Sequence, residues 1–75
     1  MYNLFVFPTA ALAVQMQTLL GNDGWKCVGA GGALIGGHYD NIVLARGWDE
    51  YYLSADWFDT IVRHRLKPGG LVIRL

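Results

Sequence analysis

The chain is poor in the groups that staple small proteins together. Cys27 is its only cysteine, so no disulfide can form within it. A lone thiol suits a reducing compartment. Zinc has no obvious foothold either, because Cys27, His38 and His64 are the only soft ligands and none stands at zinc-motif spacing. Charge is equally scarce. Only 16% of residues are charged, against about 25% in an average soluble protein. The formal net charge is zero and the isoelectric point is about 6.7. Without a basic excess the chain lacks the footprint that displaces counterions from nucleic acid, and it has no electrostatic hold on anionic lipid. No apolar run reaches the roughly 18 residues that span a bilayer. The apolar start has no basic segment ahead of it and soon meets Pro8, so it does not read as a signal peptide. These absences predict a cytoplasmic protein that binds neither membrane nor nucleic acid.

What is present is apolar and aromatic. Hydrophobic residues make up 53% of the 75, with three Trp, four Tyr and three Phe. This length suits one domain. A domain so small buries only about 60% of its unfolded surface and is marginal alone. With disulfides and metal set aside, a tight core or a partner surface must supply the rest. Some of the rings are therefore expected at the surface, where clustered aromatics mark contacts.

The pattern along the chain reads as βαββαβ. Residues 2–7 form an unbroken apolar run, as expected of a strand buried on both faces. Pro8 ends it and Thr9 stands at a helix N-cap position. Good helix formers follow from Ala10 to Leu20, with Leu12, Met16, Leu19 and Leu20 on one stripe, and Gln15 and Gln17 off it. Gly21 then stops the helix, ahead of an Asn22-Asp23-Gly24 turn. Trp25 to Val28 is a second strand, leading into the glycine-rich stretch 29–37. Asn41 to Ala45 is a third. Ser54 is a second N-cap, with Asp56 and Asp59 near the positive helix end and Arg63, His64, Arg65 and Lys67 near the negative one. Phe58, Ile61, Val62 and Leu66 form the buried stripe. Pro68-Gly69-Gly70 terminates the helix and residues 71–75 close the sheet. Right-handed crossovers make each strand–helix–strand unit parallel. The expected fold is a single small Rossmann-like α/β domain over residues 1–75, with a four-stranded, mostly parallel sheet and two helices.

Chemistry-bearing candidates are few. Glycine-rich loops can wrap phosphates with backbone N–H groups, which nominates Gly29, Gly31, Gly32, Gly36 and Gly37 as a ligand loop. The dinucleotide fingerprint is incomplete, however, because Leu34 stands at its third glycine. Gly37-His38 stands where a P-loop needs Lys and Ser or Thr. The alternative is a tight crossover between adjacent strands, with Leu34 and Ile35 entering the core. His38 and Asp40 could pair as acid and base, but they lie at the amino end of a strand, whereas parallel sheets place ligands at carboxyl ends. At that carboxyl rim lie Pro8, Thr9, Arg46, Trp48, Asp49 and Glu50, with no nucleophile beyond residues better explained as caps. Arg46 with Trp48, Tyr51, Tyr52 and Trp57 combines the residue types that dominate binding hot spots. The alternative there is a hydrophobic lid over the sheet end. The basic cluster at Arg63 to Lys67 suits a helix C-terminus.

Two resemblances add to this reading. Tyr39-Asp40-Asn41-Ile42-Val43-Leu44, a helix and Leu66-Lys67-Pro68-Gly69-Gly70-Leu71-Val72-Ile73 resemble the later part of class I S-adenosylmethionine-dependent methyltransferases. That resemblance covers half the chain and implies parallel Rossmann-like topology. It does not imply methyl transfer, since Phe7-Pro8-Thr9-Ala10 has no glycine where that family holds its cofactor. The acid expected at the end of the next strand is replaced by Val28-Gly29-Ala30. The whole chain also looks like small Rossmann-like reading frames of tailed bacteriophages, through Trp25, Leu34 to Gly36, Asp40, Trp57 and Gly69 to Ile73. This implies a phage accessory protein acting in the host cytoplasm as a modulator or inhibitor of a larger host protein. The expected function is thus a non-catalytic protein-binding module with no cofactor. A small nucleotide or anion binder and a structural homo-oligomer are the alternatives.

Overall fold

A computed structural model describes residues 1–34, 37–51 and 55–75. The elements run β1 (Asn3–Phe7), α1 (Ala10–Leu20), β2 (Trp25–Gly29), β3 (Tyr39–Leu44), α2 (Ala55–Arg65) and β4 (Leu66–Arg74). The four strands form one sheet in the order β2-β1-β3-β4, and every pair is parallel. This is the expected α/β fold, a small Rossmann-like sheet with two helices.

Connection geometry decides which face each helix takes. From β1 the chain steps one way to β2, and from β3 it steps the other way to β4. If both crossovers are right-handed, as such connections nearly always are, the helices must fall on opposite faces. The packing agrees. Leu4, Val6, Val28, Ile42 and Leu44 are buried together with Ile61 of α2, and Phe58, Val62 and Val72 pack against them. On the other face Phe7 and Cys27 are buried with Ala13 of α1, backed by Phe5 and Met16. Alternation along each strand sends neighbouring residues to opposite faces, so an apolar run such as Leu4-Phe5-Val6-Phe7 serves both.

Four sequence expectations change. The second and third strands are not neighbours, because β1 lies between them and the glycine-rich stretch crosses over it. The last strand starts at Leu66, not Leu71. Leu66 pairs with Tyr39 and Leu71 pairs with Asn41, so residues 67–70 bulge opposite Asp40 alone. Pro68-Gly69-Gly70 therefore forms the bulge and not a stop after the helix. Gly69 takes a φ of +82°, and a Cβ on Gly70 would collide with the Asp40 carbonyl oxygen. On α1 the buried residue is Ala13, whereas Leu12, Leu19 and Leu20 are exposed. Gln17, placed off the stripe by its polarity, reaches the sheet. Its amide donates to the Trp25 carbonyl at 2.9 Å and accepts from the Cys27 N–H at 2.8 Å. Thr9 caps α1 as expected, its hydroxyl accepting from Leu12 N–H at 3.2 Å. The cap expected at Ser54 and the plug expected from Ile35 lie outside the described residues.

Asp40 ties three segments together. One carboxylate oxygen accepts the Tyr2 N–H at 2.6 Å, the Tyr2 carbonyl accepts the Asp40 N–H at 2.6 Å, and Lys67 in the bulge stands 3.5 Å from the other oxygen. The Tyr2 hydrogen bond first, and Lys67 after it, hold the Asp40 carboxyl below its ordinary range. A depressed folded pKa contributes stability above the unfolded value of about 3.9, and loses it as pH falls through the folded value. Asp40→Asn is thus expected to be less stable than the parent at pH 7, with the gap closing below about pH 4. Urea midpoints of both proteins across that range check it, and a gap independent of pH would remove the ionic role.

Candidate functional site

The glycine-rich stretch is held by its carbonyls. Trp57 Nε1 donates to Gly32 O at 3.0 Å, and the Arg65 guanidinium donates to Leu34 O at 3.2 Å and Gly37 O at 3.3 Å. Gly32 N–H turns back to Gly29 O at 2.9 Å. Gly31 and Gly37 have φ near +80°, the left-handed region that glycine adopts without strain. Gly29 has a different role, because a Cβ there would sit 2.6 Å from the Ala10 nitrogen. It lets the start of α1 lie directly on the end of β2. Gly36 lies outside the described residues. Between residues 31–34 and α2 an open cleft of about 500 Å³ has Trp57 and Ile61 among its lining residues, with Asp56, Thr60 and Arg65. Arg65, its cation, is the group already committed to the two loop carbonyls.

The aromatic corner divides in two. Trp48 and Trp57 are half-buried and pack on the main core, with ring centroids 6.5 Å apart and Trp48 5.2 Å from Phe58. Arg46 and Tyr51 are exposed, Tyr51 with 72% of its surface open. Tyr52 lies outside the described residues. Replacing either indole would remove core packing together with any contact, so Tyr51 and Arg46 are the informative positions in this corner.

The reactive groups have structural partners. Asp40 holds the Tyr2 backbone, and His38 is exposed beside it without a mutual hydrogen bond among the described contacts. Burial pushes the Cys27 thiol up, with Lys26 opposing weakly, so it stays protonated and unreactive at neutral pH. Among the described residues no group of three His, Cys, Asp or Glu gathers as metal ligands. Among them, too, no helix is long and apolar enough to cross a membrane.

One surface went unread in the sequence. The face of the sheet under α1 carries three rows, Trp25-Asn3-Asn41-Leu71, then Cys27-Phe5-Val43-Ile73, then Gly29-Phe7-Ala45-Leu75. The helix lies against β2 and β1. It leaves the β4 side of that face open, with Leu71 62%, Ile73 41% and Leu75, just past β4, 63% exposed, whereas Val43 in the β3 row is buried. The stripe Leu12-Met16-Leu19-Leu20 flanks that opening. With 100° per residue, Gln17 at the free edge of β2 and Met16 against the Phe5–Phe7 cluster fix the helix's rotation. The other three leucines of the stripe then lie on Met16's side, toward β3. None of the chain's twelve charged residues stands in α1 or in those three rows, and the first charged side chain in the sequence is Asp23. A helix with an exposed flank and no charge at all was the available signal, since surface helices usually carry charge opposite their buried stripe.

Comparison with family models, with characterised proteins and with solved structures finds none that matches this chain.

Proposed function

We propose that the protein is a non-catalytic protein-interaction module that works by laying its uncharged sheet-and-helix face against another protein. The observation that carries this reading is the open β4 side of the sheet. Leu71 and Ile73 on β4 and Leu75 just past its end are solvent-exposed, and Leu12 and Leu19 line the adjacent flank of α1. The largest exposed apolar patch on a small soluble protein is often its binding surface. The parallel α/β plan covers both faces of the sheet with helices, and here the β4 side of one face lacks its layer. The nucleotide-loop reading has less behind it, because Ala30 N–H is given to Phe7 O and Gly32 N–H to Gly29 O, the Arg65 cation is committed to loop carbonyls, and Gly29 serves close packing. Arg46 and Tyr51 remain available as a polar and aromatic rim for a larger partner, including a host protein.

Site-specific photo-cross-linking in cells that make the protein tests the reading. A benzophenone amino acid replaces Ile73 in one variant and Asp59, exposed on α2, in another. Discrete protein adducts from position 73 and none from position 59 are expected. No adduct from position 73, or the same diffuse set from both, ends the proposal.

A further inference from the structure

The open β4 side of the sheet lacks a helix with an apolar flank, and the chain carries such a helix itself. We infer that the face is occupied by a second copy of this chain, in a twofold dimer where each α1 lies in the open trough along β4 of the other. The inference rests on the interaction-module reading and names the partner.

Three observations lead to a copy rather than to an unrelated protein. The first is reciprocity. A twofold axis brings the same surface of both subunits together, so whatever one copy lacks the other must supply. Each copy has one trough beside one helix, and the stripe Leu12-Met16-Leu19-Leu20 is the periodic apolar stripe of a core-facing helix, yet its own sheet buries mainly Ala13. Side-by-side α1 helices between two outer sheets would satisfy both stripes and both troughs. The second is charge. An isologous contact sets each group near its axis against its own twin, so a charge there meets like charge. This face has no charged side chain, and the formal net charge of zero adds no long-range repulsion. The third is size. The molecule measures 29 × 28 × 23 Å, so a standard interface of roughly 800 Å² per partner has to take in a whole broad face, α1 and the open strand together, as this arrangement does.

The free edges favour face-to-face over edge-to-edge association. The outer edge of β2 is taken by the Gln17 amide. The β4 edge carries Lys67, Pro68 and Arg74, residue types that discourage strand addition.

Sedimentation of the purified chain over a wide concentration range tests the inference. A monomer–dimer equilibrium is expected. Leu12→Lys and Ile73→Asp, both at solvent-exposed positions, should each keep the circular dichroism of the parent and weaken dimerisation on the order of 30-fold. Mixed together, the two variants should form a heterodimer tighter than either homodimer. The ammonium introduced at position 12 of one copy then meets the carboxylate introduced at position 73 of the other, while the second helix–trough contact remains unaltered. A monomer at all concentrations, a dimer insensitive to both substitutions, or a loss that mixing fails to restore would each overturn it. A monomeric chain that still cross-links a different protein from position 73 refutes the dimer and leaves the interaction-module reading standing. No adduct of any kind refutes both.

Discussion

Gly29→Val is expected to lower the melting temperature by about 12 to 24 °C, or to leave the protein unfolded. A Cβ at Gly29 would stand 2.6 Å from the Ala10 nitrogen and 2.8 Å from the Thr9 carbonyl carbon. These are backbone atoms at the start of α1, which cannot turn aside as a side chain does. Overpacking a core costs about 1 to 3 kcal/mol, occasionally more, and backbone on both sides places this case at the upper end. A domain of 75 residues has about 4 to 11 kcal/mol to lose, and each kcal/mol shifts the midpoint by about 4 to 8 °C at this size. Gly29 is not in the left-handed region, so lack of space is the whole cause. Gly37→Asn provides the contrast within the same stretch. Nothing lies within 4 Å of its added Cβ, and its φ of +78° is one that asparagine tolerates, so a loss of about 1 kcal/mol or less is expected. Thermal denaturation of both variants decides between packing and ligand roles for Gly29. A Gly29→Val protein that melts with the parent would remove the packing role and return the stretch to the ligand-loop reading.

The element order was legible because short-range chemistry marks it. Pro8 and Thr9 end a strand and cap a helix, and Gly21 with the Asn22-Asp23-Gly24 turn ends that helix, all within contacts of a few residues. Right-handed crossover then makes the sheet parallel. Register and strand order were not legible, since they depend on partners distant in sequence. Leu66 belongs to β4 because Tyr39 pairs with it, and nothing in Leu66-Lys67-Pro68-Gly69-Gly70 distinguishes a helix stop from a bulge. The aromatic-rich segment after β3 was read by residue type, and type alone does not separate Trp48, held on the core, from Tyr51, turned to solvent.

The stripe on α1 is the most instructive case. Its period was correct and its destination was not. A helix period reports which side chains share a side, and it leaves open whether the chain's own sheet lies beneath them. Ala13 won the contact because a small residue lets the helix approach β1 and β2 closely, with Phe7 and Cys27 filling the space below. That close approach over one half of the sheet is what leaves the β4 side open. The same placement brings Gln17 to the edge of β2, where a hydrophobic residue would have nothing to bind.

Gln17→Leu is therefore expected to cost about 1 to 3 kcal/mol despite placing a more apolar residue beside the sheet. The Gln17 amide makes three hydrogen bonds. It donates to Trp25 O and accepts from Cys27 N–H as a neighbouring strand would, and it also donates to Gly21 O at the end of α1, 2.6 Å away. Each is a neutral bond contributing about 0.5 to 1.5 kcal/mol net. The partly buried edge groups lose their partners, while leucine preserves most of the volume. The midpoint should fall by about 4 to 24 °C, and exchange of the Cys27 amide hydrogen should accelerate more than that of Val28, whose amide lies within the sheet. Gln17→Glu separates hydrogen bonding from packing. Its ionised carboxylate can still accept from Cys27 but faces the Trp25 carbonyl, which raises its folded pKa. A raised folded pKa gives stability at low pH that is lost as pH rises through it, so this variant should approach the parent at about pH 4 and fall away by about pH 7. Urea denaturation at the two pH values, together with amide exchange, reads both effects. Equal stability of Gln17→Leu and parent would show that the β2 edge needs no cover, and with it would go the contrast between a closed edge and an open face.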